Sequence, residues 1–280
     1  MHIIDGKQLA EEILSRLTHE VAAFHMQPVF CDILVGDDPI AEQYVRMKEK
    51  RAERIGMRVH TARFPETITT DALIQEIHTI NALPGMCGLI VQLPLPPSID
   101  TERVLAAIDP LVDVDVLNPH TAEQFYADTS SLVYPTARAI MHILETLPIN
   151  LSEQRYVVVG QGRLVGKPVT HLLRKRGGNV EGISKETPDA RARIASGTVI
   201  ISAVGQDGLI TGDMLQPGAV IIDAGTSESH GGIRGDVDGA TLGDIPSYWS
   251  PVPGGVGPLT VACLLDNVLD VAKRKYPPSI

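Results

Sequence analysis

The chain has few cysteines and few aromatic residues for its 280 residues. Its three cysteines, Cys31, Cys87 and Cys263, are far apart and form no C-x-x-C pair, which argues against a disulfide framework and a cysteine zinc site. The nine histidines are also dispersed and include no H-E-x-x-H pair. We therefore expect buried thiols and no bound metal.

Long hydrophobic runs are missing as well. The stretches "VYPTARAIMHIL" and "GAVIIDAG" are far shorter than the roughly 18 apolar residues that a membrane-spanning helix needs. The start "MHIIDGKQLAEEIL" contains acidic residues at once and lacks the basic and then apolar pattern of a secretion leader. These features predict a cytoplasmic protein without a membrane partner.

Positive charge is in deficit, since the formal net charge is −10 at pH 7. This charge disfavours nonspecific binding of nucleic acid and of anionic membranes, but it says little about a small anionic ligand. The composition, with 44% hydrophobic and 21% charged residues, is typical of a globular protein that buries a core. The length fits one large or two ordinary domains.

What the sequence does contain is an alternation of short apolar runs with amphipathic stretches, which predicts βαβ units and a mostly parallel sheet. A first block has predicted strands at "VFCDILVG", "MRVHTARF" and "CGLIVQLPLP", with predicted helices over 7–24, 39–56 and roughly 70–83. A second block follows a helix over roughly 136–147. It opens with "RYVVVGQGRLVGKPVTHLLRKRGG" and continues with "TVIISAVG" and "GAVIIDAG". We place the domain boundary near 118–135 and expect the last helix, about 258–274, to return to the first domain.

A glycine-rich turn joins a strand to a helix in "VVVGQGRLVGKP", where Gly160, Gly162 and Gly166 lie. Such glycines permit a tight turn and let backbone N–H groups approach a pyrophosphate at a helix N-terminus, although they also occur for packing alone. A second strand ends about 20 residues on at "ISKET", where no acid occupies the strand tip. Lys185 in this segment and the nearby Arg163 favour NADP over NAD, and the neighbouring Glu186 opposes this.

Polar side chains in the first block suggest a second site. Tyr44 and Lys48 are four residues apart and share one face of a predicted helix, a spacing that ordinary surface helices also have. Gln92 ends a buried strand, where open α/β sheets bind ligands. Asp115 follows another apolar run. Its carboxylate could accept paired hydrogen bonds from an amino-heterocycle, or, like Asp113, it could cap a turn.

Seven segments resemble, in order and spacing, bifunctional methylenetetrahydrofolate dehydrogenases/methenyltetrahydrofolate cyclohydrolases. They are "YVRMK", "GLIVQLPLP", "DVDVLNP", "VVVGQGRLVGKPV", "VIIDAG", "GDVD" and "PVPGGVGPLTVA". The resemblance implies a homodimer of two α/β domains with a cleft between them. The first, residues 1–118 with the C-terminal helix 258–280, is the folate-binding catalytic domain, and the second, residues 119–257, is a Rossmann-type NADP-binding domain.

The resemblance also implies two reactions on tetrahydrofolate derivatives: oxidation of the methylene form with NADP, and hydrolysis of the methenyl product to 10-formyltetrahydrofolate. Lys48 would be the central cyclohydrolase residue, held by Gln92, while Tyr44 stacks on the folate and Asp115 bonds the pterin edge. Further substrate contacts would come from Val91, Leu93, Pro251, Gly254 and Gly255. Cofactor contacts would come from Gly160, Gln161, Gly162, Arg163, Val165, Gly166, Ser184, Lys185, Thr187 and Thr226.

The chain departs from the family pattern at several positions. Val116 stands where the family usually has glycine, and Gln161-Gly162 replaces the usual Arg-Ser of the phosphate turn. These changes keep NAD open as the cofactor and leave two alternatives, a monofunctional dehydrogenase and a non-catalytic folate- or nucleotide-binding relative. An unrelated amino-acid or hydroxy-acid dehydrogenase would not explain "VQLPLP" or "PVPGGVGPLT". We expect "PVPGG" to form a wall of the active site near Lys48 and Gln92.

Overall fold

The structure, a computed structural model, describes residues 1–229 and 232–277. The strands are β1 (His2–Ile3), β2 (Val29–Val35), β3 (Arg58–Phe64), β4 (Met86–Val91), β5 (Arg155–Val159), β6 (Asn179–Ile183), β7 (Val199–Ser202), β8 (Val220–Asp223), β9 (Ser227–Ser229), β10 (Gly232–Arg234) and β11 (Tyr248–Ser250). The helices are α1 (Gly6–Val21), α2 (Pro39–Arg54), α3 (Thr70–Asn81), α4 (Thr101–Ala106), α5 (Pro119–Tyr126), α6 (Pro135–Thr146), α7 (Gly166–Lys175), α8 (Ala190–Ala195) and α9 (Val256–Lys275).

The predicted α/β class with parallel sheets is confirmed, and the chain divides into two compact units. The three-stranded unit comprises residues 12–133 and the chain from Leu264 onward. The six-stranded unit comprises residues 1–11 and 134–263. No helix in the described ranges is long and apolar enough to cross a membrane.

The units differ from the predicted domain boundaries in three places, and each difference has a structural cause. Residues 1–11 join the six-stranded unit because β1 pairs with β11. Residues 119–133 join the three-stranded unit, where the Asn267 amide donates to the Val133 carbonyl. The start of α9 stays with the six-stranded unit, where the Thr260 hydroxyl donates to that of Thr136.

The three-stranded unit is built around β2, which lies between β3 and β4 in a parallel sheet. Every residue of β2 is buried, as expected for a central strand of a parallel sheet that helices cover. The later part of α9 packs here. Asn267 donates to the carbonyl of Val114, and the Lys275 ammonium donates to that of Met86 at 2.7 Å.

The six-stranded unit has the parallel strand order β1-β11-β8-β7-β5-β6. Strand β5 lies between β6, which follows it in sequence, and β7, so the chain changes direction across the sheet at β5. Open α/β sheets bind ligands at such a switch point, outside the carboxyl ends of the strands. The glycine-rich turn follows β5 directly, so the fold puts it at this position.

Candidate active site and dinucleotide turn

Lys48 lies at the centre of a buried polar cluster in the three-stranded unit. Its Nζ is 2.8 Å from Oε1 of Gln92 and 2.6 Å from Oδ2 of Asp32. Lys48 is only 9% exposed, and Asp32 is fully buried. The predicted pairing of Lys48 with Gln92 is thus present in the geometry, and a carboxylate joins it.

The parallel sheet explains how these side chains meet. Gln92 directly follows β4, and its backbone N–H donates to the carbonyl of Ile33 in β2 at 2.9 Å, while its Nε2 donates to the carbonyl of Leu93. Lys48 comes from α2, whose start is capped by the Asp38 carboxylate. Tyr44 lies one turn before Lys48 on α2 and is half-buried, and this burial raises the pKa of its phenol.

The segment that contains Asp113 and Asp115 runs beside β4 and extends its sheet at Leu89. Asp113 is a turn residue, because its carboxylate accepts the backbone N–H groups of Leu117 and Asn118 at 2.9 and 2.8 Å. Asp115 is half-buried. Burial raises its pKa to about 7, and the Lys48 charge opposes this shift. Of the two acids, Asp115 is therefore the one available to a ligand.

Val116 adopts a left-handed backbone conformation, with φ of 57°, and is buried. A β-branched residue is strained there, and glycine is the residue that ordinarily takes this conformation. Valine in place of the family's usual glycine thus preserves the turn, but it raises the conformational energy of the backbone there.

Asp32 is the member of this polar cluster that the sequence analysis missed. It lies in the middle of β2, within the run "VFCDILV". A carboxylate in a fully buried parallel strand is expensive unless it is paired. An isolated acid within an apolar run is the sequence signal that could have identified Asp32. The sequence does not identify the partner of this acid.

The glycine turn of the six-stranded unit has the geometry of a dinucleotide cradle. Gly160 has a φ of 88°, in the region that glycine favours. A side chain on Gly166 would overlap the carbonyl group of Gly160, with its Cβ 2.8 Å from the carbonyl carbon. At Gly162, by contrast, nothing in the described chain lies within 4 Å of such a Cβ. Close packing at Gly160 and Gly166, open space at Gly162 and the α7 N-terminus together fit a bound pyrophosphate.

Gln161 supports this turn from within. Its Nε2 donates to the carbonyls of Val158 and Gly160 at 3.1 and 3.2 Å, and its Oε1 accepts from the Thr170 hydroxyl at 3.3 Å. Its carboxamide also occupies the space where Gly182 of β6 lacks a side chain. The Gln161 side chain is therefore committed to the protein. Arg163, in contrast, is exposed, and Val165 directly precedes α7.

The loop after β6 brings together three of the predicted ribose-side residues. The backbone N–H of Ser184 donates to the Thr187 hydroxyl at 2.9 Å, and the Ser184 hydroxyl donates to the Glu186 carboxylate at 2.7 Å. Lys185 is exposed between them. An acid and a cation therefore share this loop, and the acid lowers the net positive charge available to a phosphate.

The proline-glycine loop before α9 is a tight turn in the six-stranded unit. The N–H of Gly255 donates to the carbonyl of Pro251 at 2.8 Å, and Gly254 has a φ of 109°. A side chain on Gly6 would overlap the carbonyl of Gly255, so the N-terminal segment packs directly against this turn. Helix α9 starts at Val256, two residues earlier than predicted.

Two buried carboxylates organise the loops after β7 and β8 in the same unit. Asp236 accepts four hydrogen bonds, from the Ser202 hydroxyl at 2.6 Å and from the backbone N–H groups of residues 204, 205 and 206. Asp223 accepts three backbone N–H groups, those of residues 225, 236 and 237. The motifs "VIIDAG" and "GDVD" are thus explained as two interlocking loop anchors. Thr226 lies just beyond β8 and is exposed.

The comparisons with known proteins agree with this organisation. Residues 4–115 match the catalytic domain of the tetrahydrofolate dehydrogenase/cyclohydrolase family, and residues 134–276 match its NAD(P)-binding domain. The chain is 37% identical over 277 residues to the bifunctional protein FolD of Staphylococcus aureus, covering 98% of this chain and 97% of the relative.

Solved structures give the same result. A bifunctional FolD enzyme from Campylobacter jejuni superposes with a TM-score of 0.94 at 32% identity, covering 98% of this chain and 99% of that one. The methylenetetrahydrofolate dehydrogenase-cyclohydrolase of Trypanosoma brucei, complexed with NADP and an inhibitor, gives 0.92 at 34% identity, covering 98% and 97%. Sequence motifs, fold and family models agree over nearly the whole length, and the chain belongs to the tetrahydrofolate dehydrogenase/cyclohydrolase family.

Proposed function

We propose that this protein oxidises 5,10-methylenetetrahydrofolate with NADP and hydrolyses the resulting 5,10-methenyltetrahydrofolate to 10-formyltetrahydrofolate. The observation that carries the proposal is the buried contact of Lys48 with Gln92, in a chain that also contains a dinucleotide turn. A dehydrogenase alone has little need for a buried, oriented lysine. The pair therefore favours the bifunctional enzyme over the monofunctional alternative.

In the oxidation, the protein's task is to bind and align two rings. NADP, when bound, supplies the hydride acceptor. The turn at Gly160, Gly162 and Gly166 would hold its pyrophosphate, with Gln161 and Val165 shaping the turn. Arg163, Ser184, Lys185 and Thr187 would bind at its ribose end, and Thr226 is a further contact. The substrate nitrogens assist departure of the hydride, so alignment at close range accounts for most of the catalysis required of the protein.

In the hydrolysis, protons must move, and this is the role we assign to Lys48. Water adds to the methenyl carbon and loses one proton. The bond from that carbon to one ring nitrogen then breaks, the departing nitrogen takes up a proton, and the adduct's hydroxyl loses its proton as the formyl group forms. Nζ of Lys48 has two neighbours at fixed distances, Asp32 and Gln92, so an ammonium there has a third N–H to direct at the substrate.

Folate binding is proposed for the residues around this lysine. Tyr44 stacks on the ring system and Asp115 accepts hydrogen bonds from the pterin edge. Val91, Leu93, Pro251, Gly254 and Gly255 provide further contacts. The family resemblance also supports a homodimer. The three buried free cysteines suit a reducing compartment, which supports action in the cytoplasm.

The test supplies purified protein with methylenetetrahydrofolate and either NADP or NAD, and follows the reduced cofactor and the methenyl intermediate separately. The proposal expects NADPH to form and the methenyl absorbance to decay faster than in buffer. NADPH with a methenyl product that decays only at the buffer rate would indicate a monofunctional dehydrogenase. No turnover with either cofactor would indicate a non-catalytic relative.

A further inference from the structure

The buried acid Asp32 lacks the hydrogen-bond donors that hold the buried acids Asp113 and Asp236. Asp113 accepts two backbone N–H groups and Asp236 accepts four hydrogen bonds. Within the described chain, no backbone N–H or hydroxyl donates to either carboxylate oxygen of Asp32. Its close partner is the Lys48 ammonium at 2.6 Å. Backbone N–H groups and hydroxyls therefore do not hold the Asp32 carboxylate, and its charge is balanced mainly by Lys48.

Stability does not explain such a pair. Removing two charges from water is unfavourable, and apolar residues of similar volume often stabilise a fold as well or better. Asp32 lies in β2, the fully buried central strand of its sheet, where an apolar side chain would satisfy packing. The pair occurs instead at the lysine to which the chemistry is assigned, and this position points to a role in function.

We propose that Asp32 is a positioning residue for the hydrolysis step: its carboxylate supplies the counter-charge that keeps Lys48 charged and fixes Nζ against Gln92. This inference rests on the proposed function. With Asp32 on one side and Gln92 on the other, the Lys48 ammonium keeps one N–H for the substrate. Without Asp32, the charged form loses its main partner in a nearly dry site and is disfavoured.

Other charges around the pair come from each neighbouring element. Helix α2 contributes Glu49, which is paired with Arg63 of β3 at 3.2 Å. The segment beside β4 contributes Asp115, whose pKa is affected by the charges of Lys48 and Asp32. Burial raises the pKa of Asp32, and the charges of Lys48 and Arg63 oppose that shift. Arg63 is itself paired with Glu49, so Lys48 is the principal compensating charge.

The test measures both activities of Asp32→Asn and Asp32→Val as a function of pH, with wild-type protein assayed in parallel. We expect the rate of methenyltetrahydrofolate hydrolysis to fall at least 10-fold. The limb of its pH–rate profile that depends on Lys48 should move to lower pH by about one unit or more. This direction holds whether Lys48 acts as acid or base. Oxidation of methylenetetrahydrofolate should change less than about 3-fold, since it needs no proton from Lys48. Asp32→Glu, which keeps the charge, should leave the limb in place.

The matched control is Asp266→Asn, which removes another buried acid of the same unit. Asp266 is 4% exposed and pairs with Arg16 at 2.9 Å. This variant should keep both activities and the wild-type pH profile. An unmoved limb in the Asp32 variants, a parallel loss of both activities, or failure of both neutral variants to fold would each overturn the positioning role. Absence of hydrolysis in wild-type protein would instead refute the proposed function.

Discussion

Substitutions at two glycines, Gly166 and Gly162, distinguish the packing of the dinucleotide turn from its binding of NADP. In Gly166→Ala, the new Cβ would lie 2.8 Å from the carbonyl carbon of Gly160 and 3.1 Å from the Cα of Gln161. These are backbone atoms that cannot rotate away, so the turn must shift. Overpacking of this kind costs about 1–3 kcal/mol. For a domain of this size, each kcal/mol lowers the Tm by roughly 2–4 °C.

The matched variant is Gly162→Ala, whose Cβ meets nothing within 4 Å in the described chain. Its Tm should be unchanged or slightly raised, because alanine restricts the unfolded chain more than glycine does. Its KM for NADP should nevertheless rise at least 10-fold, since the methyl group occupies the space proposed for the pyrophosphate.

The assay combines thermal unfolding, with and without NADP, and kinetics of both reactions. Gly166→Ala should unfold at a lower temperature and bind NADP weakly, yet retain hydrolysis of supplied methenyltetrahydrofolate, since Lys48 lies in the other unit. Wild-type affinity for NADP in Gly162→Ala, or an unchanged Tm in Gly166→Ala, would refute the reasoning about this turn.

Two further predictions concern acids. Because burial raises the pKa of Asp115 to about 7, the carboxyl group is protonated below that pH and can accept two hydrogen bonds only above it. The KM for methylenetetrahydrofolate should therefore fall as pH rises through neutrality. In steady-state kinetics, Asp115→Asn should abolish that dependence. The wild-type pH dependence in the variant would contradict the role of Asp115 as a hydrogen-bond acceptor for the substrate. Asp236→Asn should lower the free energy of unfolding by about 3 kcal/mol or more in urea titrations, because one acceptor oxygen then faces donors that two had served. The control is Asp238→Asn. Asp238 caps the short 3-10 helix Gly239–Thr241 by accepting the Ala240 N–H, and asparagine serves equally well there, so this change should be near neutral. Equal losses in the two variants would count against the role of Asp236 as a loop anchor.

Much of the fold could be predicted from the sequence because local pattern and global structure agree. The apolar runs of β2, β5, β7 and β8 alternate with amphipathic helices, and α/β sheets follow from such alternation. The pairing of β1 with β11 could not be predicted, because two residues carry no periodicity and their partner is remote in sequence. The domain boundaries differ for the same reason.

The site residues likewise include some that the sequence predicts and some that it does not. Lys48 and Gln92 lie in family motifs, and the strand-end position of Gln92 gives a physical reason for the contact. Asp32 belongs to no such motif, and only the cost of burying its charge marks it out. The sequence predicts Gln161 as a cofactor contact because of its position in the turn. Its inward hydrogen bonds depend on the neighbouring Thr170 and Gly182, which a sequence does not bring together.

The most direct test of the account is hydrolysis of methenyltetrahydrofolate by Lys48→Met, measured beside oxidation of methylenetetrahydrofolate by the same preparation. Circular dichroism and folate binding verify that the variant is folded. The account predicts that hydrolysis falls by about 10²- to 10⁴-fold, the contribution typical of a general acid or base, while oxidation falls no more than about 10-fold. Equal losses of the two activities in a folded, folate-binding variant would contradict it.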